Sequence, residues 1–319
     1  PLTHETSARA QLQAIELGGI AAQGIPTAKD DLVSSTRTKQ LDDRDQIKAL
    51  DYSPGGDWVF AVMWGTQTLD VLDAYTLEAV DSYQYLGEGL AGLRLSEDGC
   101  EAYVLSELTR ELVVIPLRPE LTGAPFGKSS CGDDPGPLRV DLVDLNGEVL
   151  DPSVLSGKRL FHAAWESRMS RDGYLSCGSC HPEAGQDGRT WDFTDRGEGL
   201  RNTPALMGSG LSEYGPLHWS GNFDEIQDFE NVIRGTMAGA GFLSDEDWEE
   251  VGAALGPLKA GRSQELDDLA VYIESLTSGQ RSPFRESDGE TAWEIPQWCA
   301  TCCRPRPPRS KHCAVCDNC

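Results

Sequence analysis

Hydrophobic and polar residues alternate along the chain from Leu50 onward, and this alternation predicts short β-strands separated by turns. Two stretches show the pattern most clearly, LDYSPGGDWVFAVMWGTQTLDVLD from Leu50 and LRLSEDGCEAYVLSELTRELVVIPL from Leu93. They superimpose with an offset of about 43 residues, which places Gly56 opposite Gly99. A repeat of this length with several strands is typical of one blade of a β-propeller. Because two blades cannot close a ring, we expect the sequence to contain part of a longer propeller.

These units resemble the YVTN-type β-propeller repeats, in which an SPDG-like turn is followed by a strand and then by a VID-like strand. The counterparts here are Ser53–Gly56 and Val71–Asp73. The resemblance implies that residues 1–120 form a partial β-propeller.

The composition and the hydrophobic periodicity of the sequence change after residue 120. Residues 121–155 include GAPFGKSSCGDDPGP, whose Pro, Gly and Asp residues favour turns and predict a linker. Residues 156–285 carry helical periodicity instead, beginning with an amphipathic helix predicted over Ser156–Met169. The stretch SDEDWEEV begins with a serine suited to cap a helix. The later stretch SQELDDLAVYIESL carries apolar residues at helical spacing, including Val271, which are expected to pack in the core. A mainly α domain is therefore predicted to follow the propeller part.

The strongest chemical signal is the motif C-x-x-C-H formed by Cys177, Cys180 and His181. Two thiols at this spacing can add to the two vinyl groups of haem, while the histidine that follows binds the iron. A redox-active or zinc-binding C-x-x-C is the alternative. A thioredoxin-like site needs a helix after the motif, and Pro182 and Gly185 would break such a helix early. The motif therefore predicts one covalently bound c-type haem.

Four blocks around this motif resemble the cytochrome domain of the di-haem cytochrome c peroxidases and MauG-like proteins, in the subgroup fused behind a YVTN propeller. The blocks are GKRLFHAAWESRMSRDGYLSCGSCHPEAGQDGRTWDF, GEGLRNTPALMG, GPLHWSGNFDEIQDFE and IRGTMAGAGF. The resemblance runs from about Gly157 to Arg285. It implies a mainly helical domain, a proximal histidine, and use in peroxide reduction or in electron transfer to a partner protein.

The sixth ligand of the iron has three candidates, Met237, His218 and Met207. Met237 lies in the glycine-rich segment GTMAGAGF, where we expect Gly235, Gly239 and Gly241 to let the backbone pass close to the porphyrin. His218 is the second candidate, with a hydrogen-bonded turn histidine as the alternative interpretation.

Met207, the third candidate, is expected to pack against the haem edge instead of binding the iron. Arg201 is expected to pair with a haem propionate because of its charge and its place in the RNTP block.

A second haem motif of the di-haem type is not present in this sequence. At the corresponding place Cys299 and Cys302 keep the spacing, but Cys303 stands where the histidine would be. The tail instead resembles the start of the cysteine-rich domain of the Asp-His-His-Cys palmitoyltransferases. That resemblance implies two zinc sites in residues 286–319, the first formed by Cys299, Cys302, His312 and Cys319, and half of the second by Cys313 and Cys316.

Two other features, a pair of cysteines and an acidic stretch, each have a structural and a functional interpretation. Cys100 and Cys131 can form a disulfide in an oxidising compartment or remain two separate thiols. The acidic stretch NFDEIQDFEN is predicted to form a solvated face, with a proton-relay or calcium-binding role as the alternative.

Composition limits the partners and the compartment. The 319 residues carry a formal net charge of -25 and have an isoelectric point near 4.4, which argues against binding to nucleic acid. No apolar run reaches the roughly 18 residues that span a bilayer. The sequence starts at Pro1 without an apolar leader, so we expect any export signal to lie upstream. We expect a periplasmic, cell-surface or extracellular protein.

The sequence as a whole predicts a multidomain protein with a partial β-propeller, a mainly α cytochrome c domain and a short zinc-finger-like tail. Its predicted function is that of a c-type cytochrome that carries haem c and exchanges electrons with a redox partner protein or peroxide. The alternatives are a zinc-binding fragment of a protein S-palmitoyltransferase and an interaction module whose working part is the propeller.

Overall fold

The computed structural model describes residues 10–15, 36–118, 121, 131, 136–143, 147–207, 216–277, 297–299 and 304–306. The chain divides into two units, residues 1–277 and residues 278–319. The sheets and helices that follow belong to the first unit unless stated otherwise.

The first sheets lie at the start of the described chain. Strands β1 (Ala10–Ile15) and β2 (Thr36–Leu41) form an antiparallel pair. The next four strands form one antiparallel sheet in chain order, as in a propeller blade. They are β3 (Ile47–Tyr52), β4 (Trp58–Met63), β5 (Leu69–Asp73) and β6 (Ala79–Tyr83).

A second four-stranded antiparallel sheet repeats this arrangement. It consists of β7 (Leu90–Leu95), β8 (Glu101–Ser106), β9 (Glu111–Pro116) and β10 (Leu138–Asp141), again paired in chain order. The first two strands begin at residues 90 and 101, against residues 47 and 58 in the first sheet. The predicted repeat is therefore confirmed at the level of individual strands.

The turns of the two sheets repeat as well. The N–H of Gly56 donates to the carbonyl of Ser53 at 2.8 Å, and that of Gly99 donates to the carbonyl of Ser96 at 3.0 Å. Both glycines have positive φ, 77° and 73°, which residues with a Cβ rarely adopt. The glycines of the SPGG and SEDG turns are thus required by the backbone.

Apolar side chains from the inner faces of the two sheets form a common core. Phe60, Val62 and Leu69 of the first sheet pack in one cluster with Leu90 and Val104 of the second. Burying a side chain of this size contributes about 1.5–3 kcal/mol to folding. This shared core therefore stabilises the packing of the two sheets against each other. The described residues contain no closed ring of blades.

The segment predicted as a linker contributes to the second sheet. Strand β10 lies within residues 121–155 and pairs with β9, with Leu138 opposite Val114. Arg139 of β10 forms an ion pair with Glu111 at 2.8 Å.

A disulfide joins Cys100 to Cys131. Of the two states left open for these cysteines, the structure has the bridged one.

Within the part of the chain after residue 150 that the structure describes, there are five α-helices, in agreement with the predicted helical character of this part. They are α1 (Pro152–His162), α2 (Cys177–Cys180), α3 (Glu230–Gly235), α4 (Asp245–Val251) and α5 (Gln264–Glu274). Two short strands, β11 (Thr190–Phe193) and β12 (Gly199–Asn202), form a hairpin between α2 and α3. A sheet-rich N-terminal region followed by a smaller helical region is therefore confirmed.

The predicted serine cap at Ser244 is confirmed, and the structure has a second serine cap at Ser263. The Ser244 hydroxyl accepts from the N–H of Asp247 at 3.0 Å, and the Ser263 hydroxyl accepts from the N–H of Leu266 at 3.4 Å. These contacts satisfy donors that a helix start would otherwise leave free. The first predicted helix ends earlier than expected, at His162, and Val271 of α5 is 43% exposed instead of buried.

Helices α1 and α5 approach each other closely at Gly157. A Cβ atom on this residue would lie 1.9 Å from the carbonyl oxygen of Asp268 and 2.7 Å from the Cβ of Tyr272. Only glycine allows this contact, which places Phe161 and Leu269 in one apolar cluster.

Two carboxylates of the acidic stretch after His218, Asp228 and Glu230, are buried, which corrects the prediction of a solvated face for these two, whereas Asp224 is exposed. Glu230 is fully buried and accepts from the N–H groups of Phe242 and Leu243 at 2.8 and 3.1 Å. Asp228 is 1% exposed and forms an ion pair with the fully buried Lys259 at 2.5 Å. These carboxylates hold two loops in place, because Asp228 is paired with Lys259 and Glu230 Oε1 accepts from two backbone N–H groups, while Glu230 Oε2 has no hydrogen-bond partner among the described residues.

The second unit is described only as a strand pair. Strands β13 (Gln297–Cys299) and β14 (Arg304–Arg306) are antiparallel. Cys299 ends β13, and the other predicted zinc ligands, Cys302, His312, Cys313, Cys316 and Cys319, lie outside the described residues. Among the residues whose side chains are described, no group of three or more His, Cys, Asp or Glu residues is arranged to hold a metal ion.

Within the described ranges, none of the helices has both the length and the apolar character needed to cross a membrane.

The contact between α1 and α5 predicts the effect of enlarging Gly157. Gly157→Ala should lower the free energy of unfolding by about 1–3 kcal/mol, because the added methyl group overlaps backbone atoms of α5. Denaturant unfolding followed by circular dichroism measures this change. Gly235→Ala is the control, since a Cβ there meets no atom within 4 Å. Equal stability of the two variants would contradict the close contact.

Candidate haem site

The C-x-x-C-H motif forms a single helical turn. The N–H of Ser176 donates to the Ser179 hydroxyl at 2.9 Å, which closes the start of α2. The N–H of His181 donates to the carbonyl of Cys177 at 2.9 Å and ends it. One turn therefore brings Cys177, Cys180 and His181 together, as the spacing of the motif requires for haem attachment.

The two thiols are free and electrically neutral. No disulfide joins Cys177 and Cys180, and burial raises the pKa of each to about 12. A redox-active C-x-x-C site instead needs a lowered pKa, because the thiolate is the attacking species. The environment therefore favours a haem-attachment pair over a thioredoxin-like pair.

The imidazole of His181 is held in one tautomer. Its Nδ1 lies 2.9 Å from the carbonyl oxygen of Pro204 and 3.3 Å from that of Gly185. Carbonyl oxygens only accept, so Nδ1 carries the proton and Nε2 keeps its lone pair. Burial also lowers the pKa of His181, which favours the neutral ring. This is the state in which a histidine binds a metal.

Arg201 has the properties expected of a partner for an anionic group. It lies in β12, and its Nη1 donates to the carbonyl of Leu200 at 3.1 Å. Its Nε is buried and has no hydrogen-bond partner among the described residues. A buried donor without a partner is rare in proteins. A haem propionate would supply the missing acceptor.

Met237 lies in the same apolar cluster as the first cysteine of the motif. Its side chain is 8% exposed and packs with Met169 and Tyr174, while Cys177 borders the cluster. Its backbone is fixed at both ends, since its N–H donates to Val232 and its carbonyl accepts from Arg171. The structure thus brings Met237 and the haem motif together.

The glycines near Met237 have a different role from the one predicted. A Cβ on Gly239 would lie 2.2 Å from the carbonyl oxygen of Arg168. One on Gly241 would lie 2.1 Å from Glu230 Oε1. Both glycines therefore allow the chain to approach itself. Only Gly235 borders open space, so the expectation that all three pass the porphyrin is corrected.

His218 is a structured turn residue. It has φ of 67°, and its Nδ1 lies 2.9 Å from Asn222 Oδ1 and 3.3 Å from Glu198 Oε1. Its ring stacks on Phe223 with centroids 4.8 Å apart. Phe223 belongs to a second apolar cluster that Cys177 also borders. Met237 thus lies in an apolar cluster that Cys177 borders, and His218 stacks on a member of another cluster that Cys177 borders, whereas Met207 is 40% exposed.

Two contacts behind the motif were missed by the sequence analysis. His162 is 6% exposed, and a Cβ on Gly178 would lie 2.4 Å from its Nδ1. Burial and the charges of Lys158 and Lys48 lower the pKa of His162 to about 3. Gln46, just before β3, donates from Nε2 to the carbonyl oxygen of Gly178 at 2.5 Å. No local pattern in the sequence signals either contact.

Solved structures give short, partial matches to this chain. The β-propeller domain of Cps50 (Swd1) from Myceliophteria thermophila is 19% identical with a TM-score of 0.27, and the match covers 34% of this chain and 36% of that one. Hydrazine synthase from Kuenenia stuttgartiensis is 16% identical with a TM-score of 0.21, covering 23% and 22%. Dihydro-heme d1 dehydrogenase NirN in complex with DHE is 25% identical with a TM-score of 0.21, covering 24% and 16%.

The matched part is thus about a third or less of each of these proteins. The strand order of the two sheets, and not these partial matches, is the basis for describing them as blades. No curated protein matches the chain.

A family model matches the helical part. The match spans residues 153–283 and includes Cys177, Cys180, His181, Arg201, His218 and Met237. It ends before the predicted zinc-binding tail, which stays a prediction. The family implies haem c and a peroxidase-like function. Residues 153–283 are thus similar to the di-haem cytochrome c peroxidases.

Proposed function

We propose that the helical part of this chain is a c-type cytochrome domain that binds one haem covalently and exchanges electrons with a redox partner protein or peroxide. The observation that carries this proposal is the pairing of His181 Nδ1 with two carbonyl oxygens, in the same turn as two protonated thiols. This arrangement leaves Nε2 free to bind iron.

The residues present fit a haem group. Cys177 and Cys180 would form the thioether links, His181 would be the proximal ligand, and Arg201 would pair with a propionate. Bound haem would supply an iron centre that changes oxidation state by one electron. The chain's own contribution is to orient the imidazole, to keep it neutral and to surround the motif with apolar side chains.

An oxidising compartment is consistent with the proposal. The bridge between Cys100 and Cys131 is a bond that persists outside the cytosol. Proteins of the matched family are typically periplasmic. We therefore place the protein in the periplasm or at the cell surface.

Attachment is tested by removing the motif residues. Cys177→Ala or Cys180→Ala should each leave one thioether link, and the double variant should leave none. His181→Ala should keep the links and lose the native axial ligand field. Haem staining of denaturing gels and absorption spectra of protein made with haem-maturation factors measure these effects.

The control for attachment is Cys100→Ala combined with Cys131→Ala, which should keep full haem staining. The proposed function is wrong if the unaltered protein takes up no covalent haem in such a host. A spectrum unchanged by His181→Ala would show that another residue is the proximal ligand.

The sixth ligand is tested by comparing Met237→Ala with His218→Ala. A thioether ligand on ferric haem gives a weak near-infrared band and raises the potential relative to two imidazoles. Met237→Ala should abolish the band and open the iron to cyanide, while His218→Ala and the control Met207→Ala should retain it. Loss of the band only in His218→Ala would reverse the assignment.

Peroxidase activity is predicted to be weak. With one haem motif in the sequence, there is no second centre to store an electron, so hydrogen peroxide turnover should stay well below about 10 per second. Steady-state assays with a reduced electron donor measure this rate. Turnover near that value would show that one haem suffices.

A further inference from the structure

The haem motif contains a backbone carbonyl that its own helix cannot satisfy. In an α-helix the carbonyl of one residue accepts from the N–H four positions later. For Gly178 that position is Pro182, which has no N–H. The carbonyl of Gly178 therefore needs a donor from elsewhere in the protein.

The residue that immediately precedes the first propeller-like sheet supplies this donor. Gln46 Nε2 lies 2.5 Å from the Gly178 oxygen, although the two residues are 132 positions apart in sequence. The backbone of Gln46 is itself fixed, because its carbonyl accepts from the N–H of Trp64 at 2.8 Å. The amide thus reaches the motif from a rigid strand end.

A second contact, from strand β3, holds the turn that follows the haem motif. Lys48 Nζ in β3 forms an ion pair with Glu183 Oε1 at 3.0 Å. Glu183 and Ala184 both have positive φ, 52° and 58°, a conformation that is strained for residues with a Cβ. The Glu183 carboxyl group is largely exposed, so this pair contributes less than the Gln46 hydrogen bond.

The strained turn leads directly to the proximal histidine. It ends at Gly185, whose carbonyl faces His181 Nδ1. The carbonyl of Ala184 also accepts from the N–H of Leu206 at 2.8 Å, which holds the segment that contains Pro204. The carbonyls of Gly185 and Pro204, which face Nδ1, are thus both held by the turn that Lys48 contacts.

When one ring nitrogen of a histidine binds a metal, hydrogen bonds to the other ring nitrogen set the basicity and the orientation of the imidazole. In His181 this other nitrogen is Nδ1. We infer that Gln46 is a positioning residue for the proximal imidazole, so that the propeller-like part of the chain helps to set the reduction potential of the haem. The inference rests on the proposed function, since it requires haem on His181. The first sheet is then part of the haem site.

The test uses the full chain with haem attached and the neutral variant Gln46→Met, which has similar length but no donor. Loss of the donor should loosen the turn, weaken the hydrogen bonds to Nδ1 and make the imidazole a poorer electron donor. The potential should rise. We expect about a threefold change in the ratio of ferrous to ferric haem at fixed potential, or about 28 mV for one electron.

Spectroelectrochemical titration measures the potential, and the exchange rate of the His181 Nδ1 proton in NMR spectra gives an independent readout. The matched control is Gln227→Met, because Gln227 also donates an amide hydrogen bond, to Asp267 at 2.8 Å, and within the described residues its amide forms no hydrogen bond with the motif. Gln227→Met should leave both readouts unchanged.

If Gln46→Met does not fold, Gln46→Asn keeps the amide and withdraws it by one methylene group, and the same shift is expected. Absence of covalent haem in the unaltered protein would overturn the proposed function. Normal haem attachment with an unchanged potential and an unchanged proton in the folded Gln46 variants would overturn this inference alone.

Discussion

The hydrogen bond between His181 Nδ1 and the carbonyl of Pro204 is the contact on which the candidate haem site depends. A carbonyl can only accept, so this one distance of 2.9 Å determines where the imidazole proton resides. The proton position in turn determines that Nε2 is the available ligand atom. The one-turn helix, the strained turn after it and the strand end that carries Gln46 all hold the two partners of this bond in place.

Features that depend on neighbouring residues could be predicted from the sequence. The C-x-x-C-H motif works through a single helical turn, and the serine cap of α4 acts on the N–H group three residues away. The repeat of the two sheets was visible because Gly56 and Gly99 occupy the same turn. In each case the cause and its effect lie within a few residues.

Features that depend on distant partners could not be predicted in this way. The acidic stretch has the charge pattern of a solvated face, yet Asp228 is neutralised by Lys259 from a later loop. Gly239 and Gly241 are required by backbone and side-chain atoms of Arg168 and Glu230, which the local sequence does not place beside them. Gln46 belongs to the sheet region and contacts the motif only after the chain has folded.

The burial of the thiols has a consequence for the order in which cysteines react in an exported chain. Burial raises the pKa of Cys177 and Cys180 to about 12, so both thiols are protonated at neutral pH and slow to attack other sulfur atoms. Cys100 and Cys131 are already joined to each other. An oxidising environment that forms one disulfide would therefore leave the haem-motif pair reduced, and a single folded chain can keep two pairs of cysteines in opposite oxidation states.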